Sequence, residues 1–199
     1  MGRRDGICHQ KKVAELGELH RNARMLYILV KDIMRDIHEH IERLRAFAIK
    51  HTKMSVDSIH GVSHWDRVAK YAEDLSTADV DLLVVKAFAY LHDVERENEN
   101  DDPQHGPRAA ALVDEIRSTV LGFLNDKDIL QLKEACRLHT TTLRTEDVTV
   151  NACFDADRLD LGRVGIAPDP DRMATVQGSI IAERMIEDNP ESDWLLNGG

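Results

Sequence analysis

One segment of the chain is apolar on nearly every side. Residues 80–92 read Val-Asp-Leu-Leu-Val-Val-Lys-Ala-Phe-Ala-Tyr-Leu-His, and Asp93 follows. A helix that is apolar all round is normally buried, so this pattern predicts a central helix around which the rest of the chain must pack. The helix would end in the pair His92-Asp93. An unpaired carboxylate is costly to bury, so the pattern also indicates a cation near this pair.

The other periodic segments also indicate helices. Apolar residues recur at spacings of three, four and seven in an amphipathic pattern that covers about residues 12–50. They are Leu26, Val30, Ile33, Ile37, Leu44 and Ala48. A second helix is expected to begin at Ser63 as its N-cap, and another has Pro107 at its first position and continues through Phe123. Further helices are expected at about 126–139, 152–163 and 174–187. We therefore predict an all-α fold.

The length of 199 residues suits one ordinary globular core. We expect a single-domain helical bundle with an N-terminal helical extension over residues 1–54 and a core over residues 55–167. A C-terminal helix and tail over residues 168–199 would pack on that core. The extension helix is expected to lie across the core. The alternative is a coiled coil that forms a homodimer.

Charge limits the partners that this chain can have. The formal net charge is -10, and the basic excess lies in residues 1–54, with 12 Lys and Arg against 7 Asp and Glu. Such a protein repels a nucleic-acid backbone and an anionic membrane surface, so we expect neither as a partner. An anionic substrate would need a local cation to attract it. The three cysteines show no C-x-x-C spacing, which fits a location in the reducing cytoplasm.

Six His and Asp residues fall at or near predicted helix ends. They are His64, His92, Asp93, His105, His139 and Asp157. Helix packing can bring ligands from such separate segments together. Imidazole nitrogen and carboxylate oxygen suit zinc, manganese, iron, cobalt or nickel, and the lack of thiolates argues against a structural zinc site. Taken singly, each residue also has a plainer interpretation. His139, for example, can cap a helix or pack in the core.

Three runs of residues carry a likeness to a known family. They are His60-Gly-Val-Ser-His64-Trp-Asp-Arg67-Val, Leu91-His92-Asp93 and Asp155-Ala-Asp157-Arg-Leu-Asp. Together they resemble the HD-domain superfamily of metal-dependent phosphohydrolases, over residues 58–165. The resemblance implies an HD-type bundle.

The resemblance also implies a set of metal ligands. It assigns His64, His92, Asp93 and Asp157 to one ion, with Asp157 preferred to Asp155 because the family's last ligand commonly follows an Ala. Two further residues, His105 and His139, match positions where many members hold a second metal.

The resemblance further implies an activity. The chain would hydrolyse a nucleotide or another small phosphate ester through a metal-activated hydroxide, with one or two divalent ions (Mn, Fe, Co, Ni, Zn or Mg).

Asp93 would bridge the ions or orient the nucleophile. Arg67 and Arg158 are candidates to bind phosphate oxygens, and their plainer role is ion pairing with the surplus acids. His60 is expected to be a hydrogen-bonding neighbour of the site. Arg96 replaces a Glu of nucleotidase-type relatives, so that narrower activity does not transfer.

Two other functions fit the same residues. Some HD-fold proteins use the same order of six ligands to hold two irons and activate oxygen. A regulatory module would instead bind a nucleotide without turning it over. The sequence leaves both alternatives open, together with the choice between phosphatase and phosphodiesterase.

Overall fold

The computed structural model describes the backbone of residues 4–189 and the side chains of residues 23–189. Within these residues every regular element is helical, which confirms the all-α prediction. The elements are α1 (Arg4–His51), α2 (Val62–Asp74), α3 (Leu82–Leu91), α4 (His105–Ile116), α5 (Asp126–Leu138), α6 (Val148–Arg158) and α7 (Val176–Asp188), with short 3-10 helices at Leu159–Val164 and Pro170–Arg172. None of the described helices combines the length and the apolar character that crossing a membrane requires.

The chain divides into two compact units, residues 1–40 and residues 41–199. The described part of the first unit is the N-terminal portion of α1. The second unit contains the end of α1 and all other helices, and Ile41, Leu44 and Ala48 of α1 are buried in its core. The boundary of the extension expected at residue 54 therefore falls inside the second unit.

Helix α3 lies at the centre of the second unit, in contact with α2, α5 and α6. Its side chains from Val84 to Leu91 are buried, apart from Lys86, as its apolar pattern predicts. Asp81 caps its start, because the carboxylate accepts hydrogen bonds from the backbone N–H groups of Leu83 and Val84. This packing places the C-terminal end of α3, with His92 and Asp93, among the surrounding helices.

Helix α2 begins two residues earlier than expected, at Val62, and Gly61 takes the N-cap position assigned to Ser63. The preceding loop packs tightly on Gly61: a Cβ atom there would lie 2.3 Å from the carbonyl oxygen of Val56. The backbone N–H of Val62 also donates to that oxygen, at 2.9 Å. Backbone packing therefore fixes this helix start, rather than a side-chain cap.

Other helix boundaries also differ from the prediction. Helix α4 begins at His105, so Pro107 is its third residue and not its first. Helix α4 ends at Ile116 and does not continue to Phe123, because the N–H groups of residues 119–121 all turn back to the carbonyl of Ile116. Helix α6 begins at Val148, four residues before the predicted start, with Asp147 as its N-cap. It changes to a 3-10 helix after Arg158.

Candidate metal centre

The six His and Asp side chains singled out in the sequence meet in the second unit. They are His64 of α2, His92 and Asp93 after α3, His105 at the start of α4, His139 after α5 and Asp157 of α6. Five of them are buried, whereas the side chain of Asp157 is 21% exposed. The cluster is therefore enclosed by helices, and its most accessible member is Asp157.

One half of the cluster contains His64, His92 and Asp157 around one oxygen of Asp93. The two histidine Nε2 atoms are 3.0 Å apart. Asp157 Oδ1 lies 3.4 Å from Nε2 of His64 and 3.7 Å from Nε2 of His92. Asp93 Oδ2 lies 3.7 Å and 3.5 Å from the same two nitrogens. Ligand atoms of His64, His92 and Asp93 thus all lie within 4.8 Å of one another, and Asp157 lies beside the two histidines.

The other half contains His105 and His139 around the second oxygen of Asp93. Their Nε2 atoms are 2.9 Å apart. Asp93 Oδ1 lies 3.2 Å from Nε2 of His105 and 3.8 Å from Nε2 of His139. Asp93 therefore belongs to two groups that can each hold a metal ion, and its two oxygens point to different groups.

Hydrogen bonds fix the orientation of the histidine rings. Nδ1 of His92 donates to the Phe88 and Ala89 carbonyls, and Nδ1 of His139 donates to the Cys136 carbonyl at 2.7 Å. The remaining two rings follow the same pattern: His64 donates to Asp160 and His105 to the carbonyl of Asp102. A ring whose Nδ1 carries the proton presents the lone pair of Nε2. All four lone pairs are thus directed into the cluster.

The separations within the cluster fit the coordination sphere of a divalent ion. Two ligands at about 2.1 Å from one ion and at right angles to each other lie about 3.0 Å apart. The Nε2 atoms of both histidine pairs show this separation. In neutral rings with protonated Nδ1 these nitrogens cannot hydrogen-bond to each other, so a cation between them is the simplest compensation. The described His and Asp residues can therefore hold a metal ion.

Electrostatics differ among the ligand candidates: burial opposes the charged form of His64 and His139, but neighbouring carboxylates raise the pKa of both rings. Burial lowers the pKa of His92 to about 3, so the ring is neutral near pH 7. Burial opposes ionisation of Asp93, but the surrounding histidines hold the pKa of its carboxyl well below the usual value. For Cys136 and Cys153 burial raises the pKa of the thiol. Neither cysteine belongs to the groups of ligand atoms.

Asp93 also accepts hydrogen bonds from two residues outside these groups. His60 Nδ1 lies 2.9 Å from Oδ2, where the sequence leads us to expect a hydrogen-bonding neighbour. Arg96 Nε lies 3.0 Å from Oδ1, and the Arg96 side chain is buried. The positive charge of this buried guanidinium partly offsets the negative charge of Asp93, the carboxylate that both groups of ligand atoms share.

The acidic run at the end of α6 divides its residues between two tasks. Asp157 faces His64 and His92, whereas Asp155 points to the start of α7. The Asp155 carboxylate accepts hydrogen bonds from the backbone N–H groups of Ala174 and Thr175, at 2.7 Å and 2.8 Å. The structure thus brings Asp157 to the ligand cluster and leaves Asp155 holding the segment that precedes α7.

Both arginines expected to bind phosphate have partners within the protein. Arg67 donates to Asp160 through Nε at 2.6 Å and Nη2 at 3.0 Å. Arg158 donates to the backbone carbonyls of Thr142 and Leu143, both at 2.8 Å. The structure therefore places their described hydrogen bonds on the protein itself, in line with the plainer, structural interpretation.

The sequence interpretation gave Asp160 no role at the site, although the residue closes the family-like run. Its Oδ2 lies 2.7 Å from His64 Nδ1, and its carboxylate also binds Arg67. The available signal was its spacing of three from Asp157, since residues three apart on a helical segment lie on neighbouring positions.

Comparison of the chain with protein-family models, with curated proteins and with solved structures finds no match.

Proposed function

We propose that this chain is a metal-dependent phosphohydrolase that acts on a nucleotide or another small phosphate ester. The observation that carries the proposal is the shared carboxylate of Asp93, which joins two pairs of Nε2-directed histidines. The resemblance of the same residues to the HD-domain superfamily supports the choice of reaction. We further propose that two divalent ions bind, one in each group.

A divalent ion in such a site polarises a phosphoryl oxygen and lowers the pKa of bound water towards about 7. The residues of the chain have separate tasks around it. The Nε2 atoms of the four histidines and the oxygens of Asp93 and Asp157 would hold the metal ions, and the hydrogen bonds on Nδ1 keep the rings in position. His60 Nδ1 can donate a hydrogen bond to Asp93 Oδ2, at 2.9 Å. The enclosing helices exclude bulk water from all ligands except Asp157.

Within residues 55–199, charge favours an anionic substrate at this place. The chain carries a formal charge of -10, so its general field repels phosphate. Two divalent ions would outweigh the two carboxylates of the cluster and leave a local positive charge. A phosphate ester would therefore be attracted to the cluster within residues 55–199, a range that otherwise has an acidic excess of 29 Asp and Glu over 14 Lys and Arg.

We propose that the part of the substrate that does not react occupies a cavity of about 460 Å³ that is lined in part by the end of α6. Arg158, the next residue along α6, lines this cavity together with Arg172 and the apolar side chains of Leu161, Ile166 and Met173. A cavity of this size that combines apolar walls with a few polar groups is typical of small-molecule sites.

A panel of phosphomonoesters, phosphodiesters and nucleotides tests the reaction. Each compound is incubated with the protein and, in turn, Mn²⁺, Fe²⁺, Co²⁺, Ni²⁺, Zn²⁺ or Mg²⁺. We expect at least one compound to be hydrolysed by the wild type and not by Asp93→Ala. Asp66→Asn is the matched control, because Asp66 also lies on the second unit but contacts Arg45 and Tyr90 instead of the cluster. Equal rates for wild type and Asp93→Ala on every compound would rule out hydrolysis at this site.

A di-iron oxygenase is the second candidate, and the four histidines around a shared carboxylate favour it, because this ligand set also suits iron. Metal analysis of aerobically purified protein separates the two functions. Two tightly bound irons per chain with oxygen consumption would favour the oxygenase. Nucleotide binding without turnover of any compound, with the metal in place, would instead indicate a regulatory module.

We also propose the cytoplasm as the compartment of this protein. Cys136 and Cys153 are buried, free thiols, which agrees with a reducing environment. Fractionation of cells that express the full chain tests this, and recovery of the protein in the membrane or secreted fraction would contradict it.

A further inference from the structure

The first unit exposes a dense group of apolar side chains on one short segment of α1. Eight large apolar residues are exposed within the ten residues 25–34 of α1, over about 15 Å of helix. They are Met25, Leu26, Tyr27, Ile28, Leu29, Val30, Ile33 and Met34, with exposures from 49% to 69%. Scattered exposed apolar residues are ordinary, but a contiguous group of this kind marks an interaction surface.

The spacing of these residues indicates a helical partner. Ala23, Leu26, Val30, Ile33 and Ile37 follow one another at intervals of three and four residues. This is the a/d pattern of a coiled coil, in which each side chain fits between four residues of a facing helix. Tyr27, Leu29 and Met34 flank the pattern and widen it. The partner surface is therefore another amphipathic helix with the same repeat.

The distribution of charge along α1 indicates how that partner runs. Residues 11–24 contain four Lys and Arg and two Asp and Glu, whereas residues 31–42 contain two Lys and Arg and four Asp and Glu. Two parallel copies would place like charges side by side. Two antiparallel copies centred near residue 28 would place the basic segment of each beside the acidic segment of the other.

We propose that α1 pairs with α1 of a second copy of this chain as an antiparallel coiled coil centred near residue 28. In this register Leu26 packs against the partner's Val30, and Ala23 packs against the partner's Ile33. The same register aligns the apolar pattern and the opposite charges. The inference does not depend on the proposed function, since all metal-binding candidates belong to residues 41–199.

Light scattering and sedimentation of the full chain test the pairing. We expect a dimer for the wild type, and a dissociation constant that rises at least about 100-fold for Val30→Glu, because the change places two carboxylates in the apolar seam. Ile28→Glu is the matched control: it adds the same charge to the same segment, but position 28 lies outside the seam. Ile28→Glu should therefore remain dimeric. Circular dichroism checks that each variant keeps its helix content.

Disulfide crosslinking tests the direction of the two helices in a Cys8→Ser background. A mixture of Ala23→Cys and Ile33→Cys proteins should form the mixed disulfide. Ala23→Cys alone should not crosslink, because ten residues of helix separate the two sites by about 15 Å in the antiparallel pair. Efficient crosslinking of Ala23→Cys alone would mean a parallel pair and would overturn the proposal. A wild-type monomer, alone or bound to phosphatidylcholine vesicles, would overturn it as well.

Discussion

Nδ1 of His64 lies 2.7 Å from Oδ2 of Asp160, and both atoms are buried. A carboxylate can only accept this hydrogen bond, so the proton must be on Nδ1 and the lone pair on Nε2 faces His92 and Asp157. Arg67 donates hydrogen bonds to both oxygens of the same carboxylate. Asp160 thus positions a candidate ligand without belonging to the group of ligand atoms itself.

Replacing Asp160 should weaken metal binding. In Asp160→Asn the amide can present either oxygen or nitrogen to His64, so the ring loses its fixed tautomer and its charged neighbour. We expect the affinity for Mn²⁺ or Zn²⁺ to fall about 10- to 100-fold, as is usual for residues that orient metal ligands. Isothermal titration with each metal measures this. Asp66→Asn is the control, and an equal loss of affinity in both variants would contradict a specific role for Asp160.

The ion pair between Arg45 and Asp66 should make stability depend on pH. Arg45 donates to both carboxylate oxygens at 2.8 Å, and this hydrogen bond is the main cause that lowers the pKa of Asp66. A group with a lowered pKa in the folded state stabilises the fold above its unfolded pKa of about 4, and the contribution disappears as pH falls through the folded value.

Urea unfolding at several pH values checks this pair. At pH 7 the wild type should be more stable than Asp66→Asn by about 0.5–1 kcal/mol, since the pair is partly exposed. The difference should shrink steadily as pH is lowered below about 4. A difference in the free energy of unfolding that stays constant down to pH 2 would show that ionisation of Asp66 contributes nothing.

The sequence predicts the ligand cluster better than the groups that support it. A wholly apolar helix that ends in His92-Asp93 must be central, and helix packing then limits where the other His and Asp residues can lie. No comparable pattern reveals that Asp160 and Arg96 hold the ligands, because charged residues near helix ends are common and most of them face solvent. Their role depends on which side chains the packing of the helices brings within about 3 Å of the ligands.

Helix ends were the least predictable part of the fold. The N-cap at Gly61 depends on how closely the loop at Val56 approaches, which involves backbone contacts that no local pattern encodes. Likewise, the apolar spacing after Ile116 continues to Phe123, yet the backbone turns back on Ile116. In both places tertiary packing overrides the local preference.

Gly106, next to His105, lets α4 and α5 pack closely enough to bring His105 and His139 together. A Cβ atom on Gly106 would lie 2.5 Å from the carbonyl oxygen of Cys136 and 3.4 Å from Cε1 of His139. Gly106→Ala should therefore push the start of α4 away from the end of α5, which separates His105 from His139. We expect a loss of about 1–3 kcal/mol in the free energy of unfolding.

The same substitution at Gly122 provides the matched control for Gly106→Ala, because a Cβ atom there meets nothing within 4 Å. Gly122→Ala should leave stability nearly unchanged or raise it slightly. Thermal unfolding of the two variants gives the comparison. If Gly106→Ala were as stable as Gly122→Ala, α4 and α5 would have to pack less closely than described.

Removal of metal should lower thermal stability. An ion that binds only the folded chain stabilises it by about 2.7 kcal/mol when present at 100 times its dissociation constant, which corresponds to roughly 5–10 °C in the melting temperature of a chain of this size. We expect EDTA treatment to lower the melting temperature by this amount, and re-addition of Mn²⁺ or Zn²⁺ to restore it.

Two variants assign this metal effect to the two halves of the cluster. Asp93→Ala removes the carboxylate that both groups share, so added metal should no longer raise its melting temperature. His139→Ala removes a ligand of one group only, so its melting temperature should still respond, with one ion bound per chain where the wild type binds two. Titration calorimetry counts these ions. Two ions bound to His139→Ala with unchanged affinity would mean that His139 is not a ligand, and the second ion would then need another site.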